Sequence, residues 1–596
     1  MTLEIFRTFV TLKKYVMRKL YTTLSFAILL ALASANAQIY VNELAPIASL
    51  ENGSSWDDAF RDIESALAIA NDGDEIWVSS GEYFPPVVTI EGVETNAYVI
   101  DENIKLYGAF SGTETSIEQR NFDFNPTLLN GDILGDDTGI DLLLNKDDNA
   151  SHVIYITEDV DDTALIDGFF IFRGAAIIDE SNTSTVGGGI YSAGKANFAN
   201  LSIQQCVAED GGGVYIIGNN TGDITFTDCN IDNNRATELG GGLLISNVNS
   251  IRVRNSKVSR ITTDEEGAIC IADMDQAVFD NVVIRENIGD FCSAMYSDNI
   301  RNLQIIDCDI NTNMATNNGT IYVGESELLE ITNTKIENNN ADSISAGVLL
   351  DNSSASIVNS SISGNIVLNS IADTEGQLVI EGNENNNINF NHSTIAGVNA
   401  PSIYSEATIT TSNTIFASQE MGTFAGSGTI VSQGGNLCSD LSMSTGLNMT
   451  TDLTNVDPQF RDLSMANVKL ASTSPAIGVA VSSSIVEDVD GNLRDANPDM
   501  GAYEFVLSAT SQTDIPDVSV TLAPSMTRES FVIQWEGAFH QNIRFDIVDM
   551  NGKLISQNIK LTERNQDVNV SAFQAGQYQI VFRSNSGLTT RSFIKL

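Results

Sequence analysis

The sequence predicts an all-β chain: a parallel β-helix with an N-terminal capping helix, followed by a small C-terminal β-sandwich. Three observations carry that expectation. A short alternating segment recurs about every 26 residues, a glycine-led strand motif interleaves with it, and after Phe505 both patterns give way to longer alternating strands. The 45 glycines and 10 prolines among 596 residues fit many short strands and tight turns.

Residues 1–37 read as an address. Arg18 and Lys19 precede an apolar run from Leu24 to Leu32, then the small-residue site Ala35-Asn36-Ala37. That is the charged, apolar and cleavage-site order of a secretory signal peptide. The run is too short to span a bilayer comfortably. An amphipathic surface helix is the competing reading, and Met17 is an alternative start to Met1.

Next, Asp57 to Ala70 reads as an amphipathic helix, with Phe60, Ile63, Leu67 and Ala70 at helical spacing. Asn71-Asp72-Gly73-Asp74 stops it, and Glu75 to Val78 opens the first coil. The end of a solenoid exposes its core and its strand edges. The helix is therefore expected to lie over that opening.

The repeat itself runs through Leu201–Cys206, Ile224–Cys229, Ile251–Ser256, Ala277–Val282, Leu303–Cys308, Leu329–Thr334 and Ala355–Ser360. The ends step by 23, 27, 26, 26, 26 and 26 residues. Each copy alternates apolar and polar residues, the signature of a half-buried strand. The second series is Gly187 to Tyr191, Gly211 to Tyr215 and Gly240 to Leu244, with weaker copies at Gly267, Ala294, Gly319 and Gly347. Asn- and Asp-rich corners separate the two series. Stacked coils would align Asp228, Asn255, Asn281, Asp307, Asn333 and Asn359 into a turn ladder with shared hydrogen bonds. An up-and-down array has the same alternation; the constant step favours the solenoid.

Residues 506–516 read as a linker, and 517–596 as a sandwich of about seven strands. Phe531 to Trp535, Ile543 to Val548 and Tyr578 to Phe582 alternate, with a turn at Asn551-Gly552.

These residues resemble a known family. Ile39 to Val41, Gly53 to Trp56, Gly73 to Val78, Gly81 to Tyr83, Leu106 to Glu114, Gln119 to Asn121 and Asp167 to Phe169 resemble the opening of secreted right-handed parallel β-helix proteins. Asp457 to Phe460, Ser474 to Ile477 and Asp488 to Asn492 through Gly501 to Glu504 resemble their closing segment. The glycine-led repeats are similar to those of polymorphic outer membrane proteins. The likeness covers residues 38–505 and implies a pectate-lyase-like fold. Val548 to Lys553, Asp567 to Ser571, Ala575 to Tyr578 and Phe593 to Lys595 resemble the C-terminal sorting domain of the type IX secretion system; its usual opening is reduced here to Leu522-Ala523-Pro524-Ser525. That resemblance implies the type IX machinery as a partner, passage across the outer membrane, and a secreted or cell-surface location. A carbohydrate-binding sandwich is the competing reading.

The charge balance narrows the function. Thirty Lys and Arg stand against 78 Asp and Glu, a net charge of −48, which repels nucleic acid and anionic membrane surfaces. At 42% hydrophobic residues the chain still affords a packed core. Three histidines, His152, His392 and His540, lie far apart, and six cysteines show no zinc-like spacing. Cys206 and Cys229 align on neighbouring coils, within reach of a disulfide, or pack there as small buried hydrophobes.

Several carboxylate groups have the chemistry of a structural calcium site, which takes six to eight oxygens. They are Asp136-Asp137, Asp147-Asp148, Glu158 to Asp162, Asp264 to Glu266, and above all Asp488, Asp490 and Asn492 at one-residue spacing. For the last three, a structural turn of the closing segment is the favoured reading over a calcium loop. No catalytic residue is assigned. The expected function is a non-enzymatic adhesin or a glycan- or protein-binding module at the cell surface. The alternative is a polysaccharide lyase or glycoside hydrolase acting on a polysaccharide, an acidic one included, in a groove of the helix. Three or more converging Asp, Glu, Arg or Lys in one concave cleft favour the enzyme.

Overall fold

A computed structural model describes residues 37–506 and 518–595, apart from 47–49, 91, 139–140, 163, 178–184, 219–221, 370–374, 383–385, 420, 524–525, 538–543, 550–553, 562–563, 572, 575 and 585–586. The expected signal peptide, nearly all of the linker, the turn at Asn551-Gly552 and His540 lie outside the described residues. The chain divides into two compact units at Phe505/Val506.

The first unit is a parallel β-helix. Parallel ladders of 24, 14 and 8 strands run along it, the largest containing two legs of each coil. Pairing is in register at the step read from the sequence: Ile269 lies beside Met295, which lies beside Ile321. Parallel pairing throughout these ladders excludes the up-and-down array. Inside, equivalent residues stack, as in Ile231, Val258, Ile284, Ile310, Ile336 and Ile362, all fully buried. Burying such columns on every coil is the main driving force for the fold.

Polar residues take the corners. Asp228, Asn255, Asn281, Asp307, Asn333 and Asn359 all have φ between 48° and 56°, the left-handed turn that Asn and Asp tolerate. Side-chain bonds join Asn281 to Asn255 (2.9 Å) and Asn359 to Asn333 (2.8 Å). A second ladder is fully internal. The Nδ2 groups of Asn287, Asn313 and Asn339 each donate to the Oδ1 of the next Asn, ending at Asn365, at 2.9 Å.

Two expectations need correction. The first repeat copy is shifted: Leu201, not Cys206, stands beside the Cys229 corner, because Ser202 to Gln204 pair with Asn230 to Asp232. Cys206 instead receives its contact from Asn234, whose Oδ1 accepts the Cys206 N–H at 2.9 Å. The two thiols thus occupy different corners, and all six cysteines are free and buried. The coil from Leu201 to Cys229 is two residues longer than the usual step, so the repeat motif is offset from the pairing register there.

The N-terminal helix spans only Ile63–Leu67. Phe60 bonds its N–H to Tyr40 O and its carbonyl to Asn42 N, so it is held extended beside Val41. Asp62 then caps the helix through Ser65 N at 2.7 Å. Ile63 and Ala66 are buried, and Phe60, Leu67 and Ala70 pack on the same core. The stack also begins one strand earlier, at Gln38–Val41 beside Glu75–Ser79.

The N-terminal motifs converge on one cluster. Trp77 and Phe110 stack at 4.6 Å beside Trp56 and Tyr40. Arg120 lies over Tyr107, Phe110 and Phe122 and pairs with Asp167 at 2.8 Å, both side chains under 10% exposed. The closing segment returns along the flank: Ala502 N donates to Thr394 Oγ1, Gly501 N to Asn413 O, and Tyr503 Oη to Glu337 Oε1.

Among the described residues, the second unit has eight strands in sheets of three and five. Phe531, Ile533 and Trp535 from one sheet and Phe545, Ile580, Phe582 and Phe593 from the other share its core.

Candidate functional site

The groove lies on the outside of the largest ladder, where each coil bends between its first two legs. Asn247, Asp273, Asn299 and Glu325 stand there at exact 26-residue steps, with φ of 44–55°. The next residue of each coil, Val248, Met274, Ile300 or Ser326, turns inward and is buried. The one after, Asn249, Asp275, Arg301 or Glu327, returns outward. This bend makes a concave groove of about 530 Å³. The side chains bind each other across coils: Asn299 Nδ2 donates to Asp273 Oδ1 at 2.6 Å, and Arg301 pairs with Asp275 at 3.0 Å and Glu327 at 3.9 Å.

Along the first leg runs a row of tyrosines. In register are Tyr155, Tyr191 and Tyr215, then Leu244 and Cys270, then Tyr296 and Tyr322. Neighbouring ring centroids are 5.1, 5.6 and 5.0 Å apart, close to the ~4.8 Å separation of the strands beneath. All five rings are half-buried.

Two positions further on stand Ala272, Asp298, Gly324, Asp351 and Glu381, again in register. Burial, then the nearby Asp273, Glu325 and Asp351, push the Asp298 carboxyl above the usual range. Glu266, beside this row, is pushed up to about 6, first by burial and then by Glu265, Asp298 and Asp210. Glu381 is raised by burial, Asp351 and Glu406. The face gathers carboxylates that hold their protons more tightly than exposed ones do.

The calcium residues named from the sequence do another job. Asp488 Oδ1 accepts N–H bonds from Asp490 (2.9 Å) and Asn492 (2.8 Å), and Oδ2 accepts from Glu504 N at 2.9 Å. Asp490 is held by Lys335 at 2.5 Å and Lys469 at 2.6 Å. Donors and ammonium groups thus occupy the oxygens a cation needs, and the loop acts as the turn of the closing segment. Among the described residues the carboxylates that do converge are Asp132, Asp136 and Asp148, within 4.8 Å of one another. Asp132 already accepts from Gly135, Asp136 and Asp137 N–H groups and from Arg173. Asp136 and Asp148 belong to the named pairs. Asp137 turns inward to Lys146 (2.5 Å), Glu158 to Asp162 lie in an exposed turn around the buried Val160, and Asp264 pairs with Arg235.

The described histidines are structural. His152 is buried against Tyr155 and Tyr191 with Nδ1 3.0 Å from Gly187 O, and burial lowers it to about 4. His392 takes a corner position at φ 48°, 3.1 Å from Asn413 Nδ2, lowered to about 3 by burial and Arg494. Arg252 is exposed and Arg254 pairs with Asp280 at 2.9 Å.

The groove was missed in the sequence, although its signal is there: acidic or amide residues at 247, 273, 299 and 325, and tyrosines at the same place in several glycine-led motifs.

Comparison with known proteins gives three findings. Residues 523–596 match the secretion system C-terminal sorting domain. No curated protein matches the chain significantly. Among solved structures, the pectate lyase Pel9A is similar over 79% of this chain and 97% of its own length, at 14% identity and a TM-score of 0.37. Tailspike protein 2 from Escherichia coli O157:H7 bacteriophage CAB120 is similar over 94% of this chain and 63% of its own, at 11% identity and a TM-score of 0.33. The sorting domain indicates export by the type IX route, to the cell surface or the medium.

Proposed function

We propose that the chain is an exported glycan-binding protein whose groove holds a polysaccharide strand along the solenoid axis, after loss of residues 1–37 as a signal peptide. The observation that supports this is a concave groove lined on four successive coils by amide and charged side chains at 26-residue steps, Asn247, Asp273, Asn299 and Glu325 with Asn249, Asp275, Arg301 and Glu327, and with Tyr296 and Tyr322 on two of those coils. A pyranose ring spans about the rise of one coil, so successive sugars meet successive copies of the same side chains. Amide, carboxylate and phenol groups are the partners sugar hydroxyls need.

A second reading, hydrolysis, rests on a specific observation. Asp273, Asp275, Arg301, Glu325 and Glu327 converge in one concave groove, which meets the criterion set above for an enzyme. A lyase fits less well. It needs a cation to neutralise a uronate carboxylate, and Arg301 is already shared between Asp275 and Glu327.

Incubating the protein with neutral and uronic glycans, with and without Ca²⁺, separates these readings. Saturable binding with unchanged glycan length supports the binding protein. New reducing ends that disappear in Glu325→Gln, a lining residue, establish the hydrolase. Unsaturated ends, or no binding to any glycan, overturn both.

A further inference from the structure

The positions lining the groove repeat once per coil, but their chemistry repeats once per two coils. The corner column reads Asn247, Asp273, Asn299, Glu325 and, on the next coil, Asn352, amide and carboxylate in turn, with φ of 44–55° throughout. Hydrogen bonds hold this alternation. Asn299 Nδ2 donates to Asp273 Oδ1 at 2.6 Å, and Asn352 Nδ2 donates to Glu325 Oε1 at 2.8 Å. Two residues further along each coil, Asn249, Asp275, Arg301 and Glu327 alternate donor and acceptor in the same phase. Asn249 Nδ2 donates to Asp223 Oδ1 at 2.7 Å, and Arg301 bridges Asp275 and Glu327. The backbone does not require the pattern, since a left-handed corner accepts Asn and Asp alike. The other corner column, Asp228, Asn255, Asn281, Asp307, Asn333 and Asn359, makes the same turn without alternating.

Two coils advance about 9.6 Å along the axis, twice the strand spacing. Sugars joined through equatorial bonds at C1 and C4 turn over at each link, so one edge of the chain returns to the same side only at every second ring. Such a ribbon offers a groove two edges in alternation, as the two columns offer amide and carboxylate coils. The carboxylate coils accept from hydroxyls, and the amide coils both donate and accept. A uronate chain instead sets a further carboxylate on every ring beside Asp273, Asp275, Glu325 and Glu327, where Arg301 is already shared. Like charges placed together in this way oppose binding.

We infer that the groove holds an uncharged glycan with a two-sugar repeat, a β-1,4-linked ribbon whose alternate rings meet amide and carboxylate coils. This rests on the glycan-binding reading of the same groove and names the class of polymer it takes.

The test titrates the full chain with five hexasaccharides: β-1,4-linked glucose, mannose and xylose, β-1,3-linked glucose, and α-1,4-linked galacturonate. The expected result is that at least one of the first three binds about tenfold tighter than either of the last two. Asp273→Asn keeps a residue suited to the left-handed corner and makes the corner column uniform from Asn247 to Asn299. In this variant, and in Glu325→Gln, the preference for the β-1,4 ribbon over β-1,3-linked glucose is expected to fall toward one, while thermal unfolding of both stays near that of the parent. Equal affinity for the two linkages, or tighter binding of β-1,3-linked glucose or of galacturonate, overturns the inference and leaves glycan binding standing. An unchanged preference in both variants does the same. Binding of none of the five overturns both.

Discussion

At the scale of single residues, the fold depends on polar groups satisfied deep inside. Asn313 accepts from Asn287 and donates to Asn339 and to Ile284 O. Asn313→Leu takes the acceptor from the Asn287 N–H and Nδ2 donors and removes a donor from the Asn339 Oδ1 and Ile284 O acceptors, and is expected to cost about 3 kcal/mol, read from denaturant unfolding. Arg120→Ala strands the buried Asp167 carboxylate and removes three ring contacts. Its cost is expected near 4 kcal/mol. His152 sets an acid limit. Its folded value near 4 lies below the ordinary 6.5, so the stability it contributes is complete above pH 6.5 and is lost as pH falls toward 4. Over that window it amounts to about 3 kcal/mol, and His152→Phe should flatten the fall in melting temperature if the ring fits.

At the scale of elements, the glycine-led strands work because backbone meets backbone. A Cβ on Gly212 would stand 2.1 Å from Arg235 O. Gly212→Ala is therefore expected to push adjacent coils apart at a cost of roughly 2–3 kcal/mol, with hydrogen-exchange protection lost first in the strands Val214–Ile217 and Leu243–Ser246. Elements built on a strict 26-residue step were legible in the sequence, since stacking forces equivalent residues into equivalent places. Elements at irregular spacing were not. The longer coil from Leu201 to Cys229 hid the true register, and the Phe60 bridge to Val41 cut a helix that the apolar spacing alone extends to residue 57. Calcium stayed open as a competing reading of the Asp488 loop because one-residue spacing cannot show that Lys335, 155 residues away, reaches Asp490.

At the scale of the whole molecule, the chain carries a net charge of −48, and most of its length is a solenoid in which each coil touches mainly its neighbours. Such a chain repels itself, so added sodium chloride is expected to raise its melting temperature, and a decrease would show that surface ion pairs outweigh the repulsion. The same acidity reaches into the groove, which Asp273, Asp275, Glu325 and Glu327 line, with Arg301 the cation between Asp275 and Glu327. The groove itself was not legible from composition, because its side chains come from four coils and share a face only when stacked. The central claim is that this face holds a glycan. Titration of a glycan panel into the full chain, and into the double variant Tyr296→Ser and Tyr322→Ser, tests it most directly. The account predicts saturable binding of at least one oligosaccharide, weakened about tenfold or more in the variant. Absence of binding across the panel, or equal binding by the variant, would contradict it.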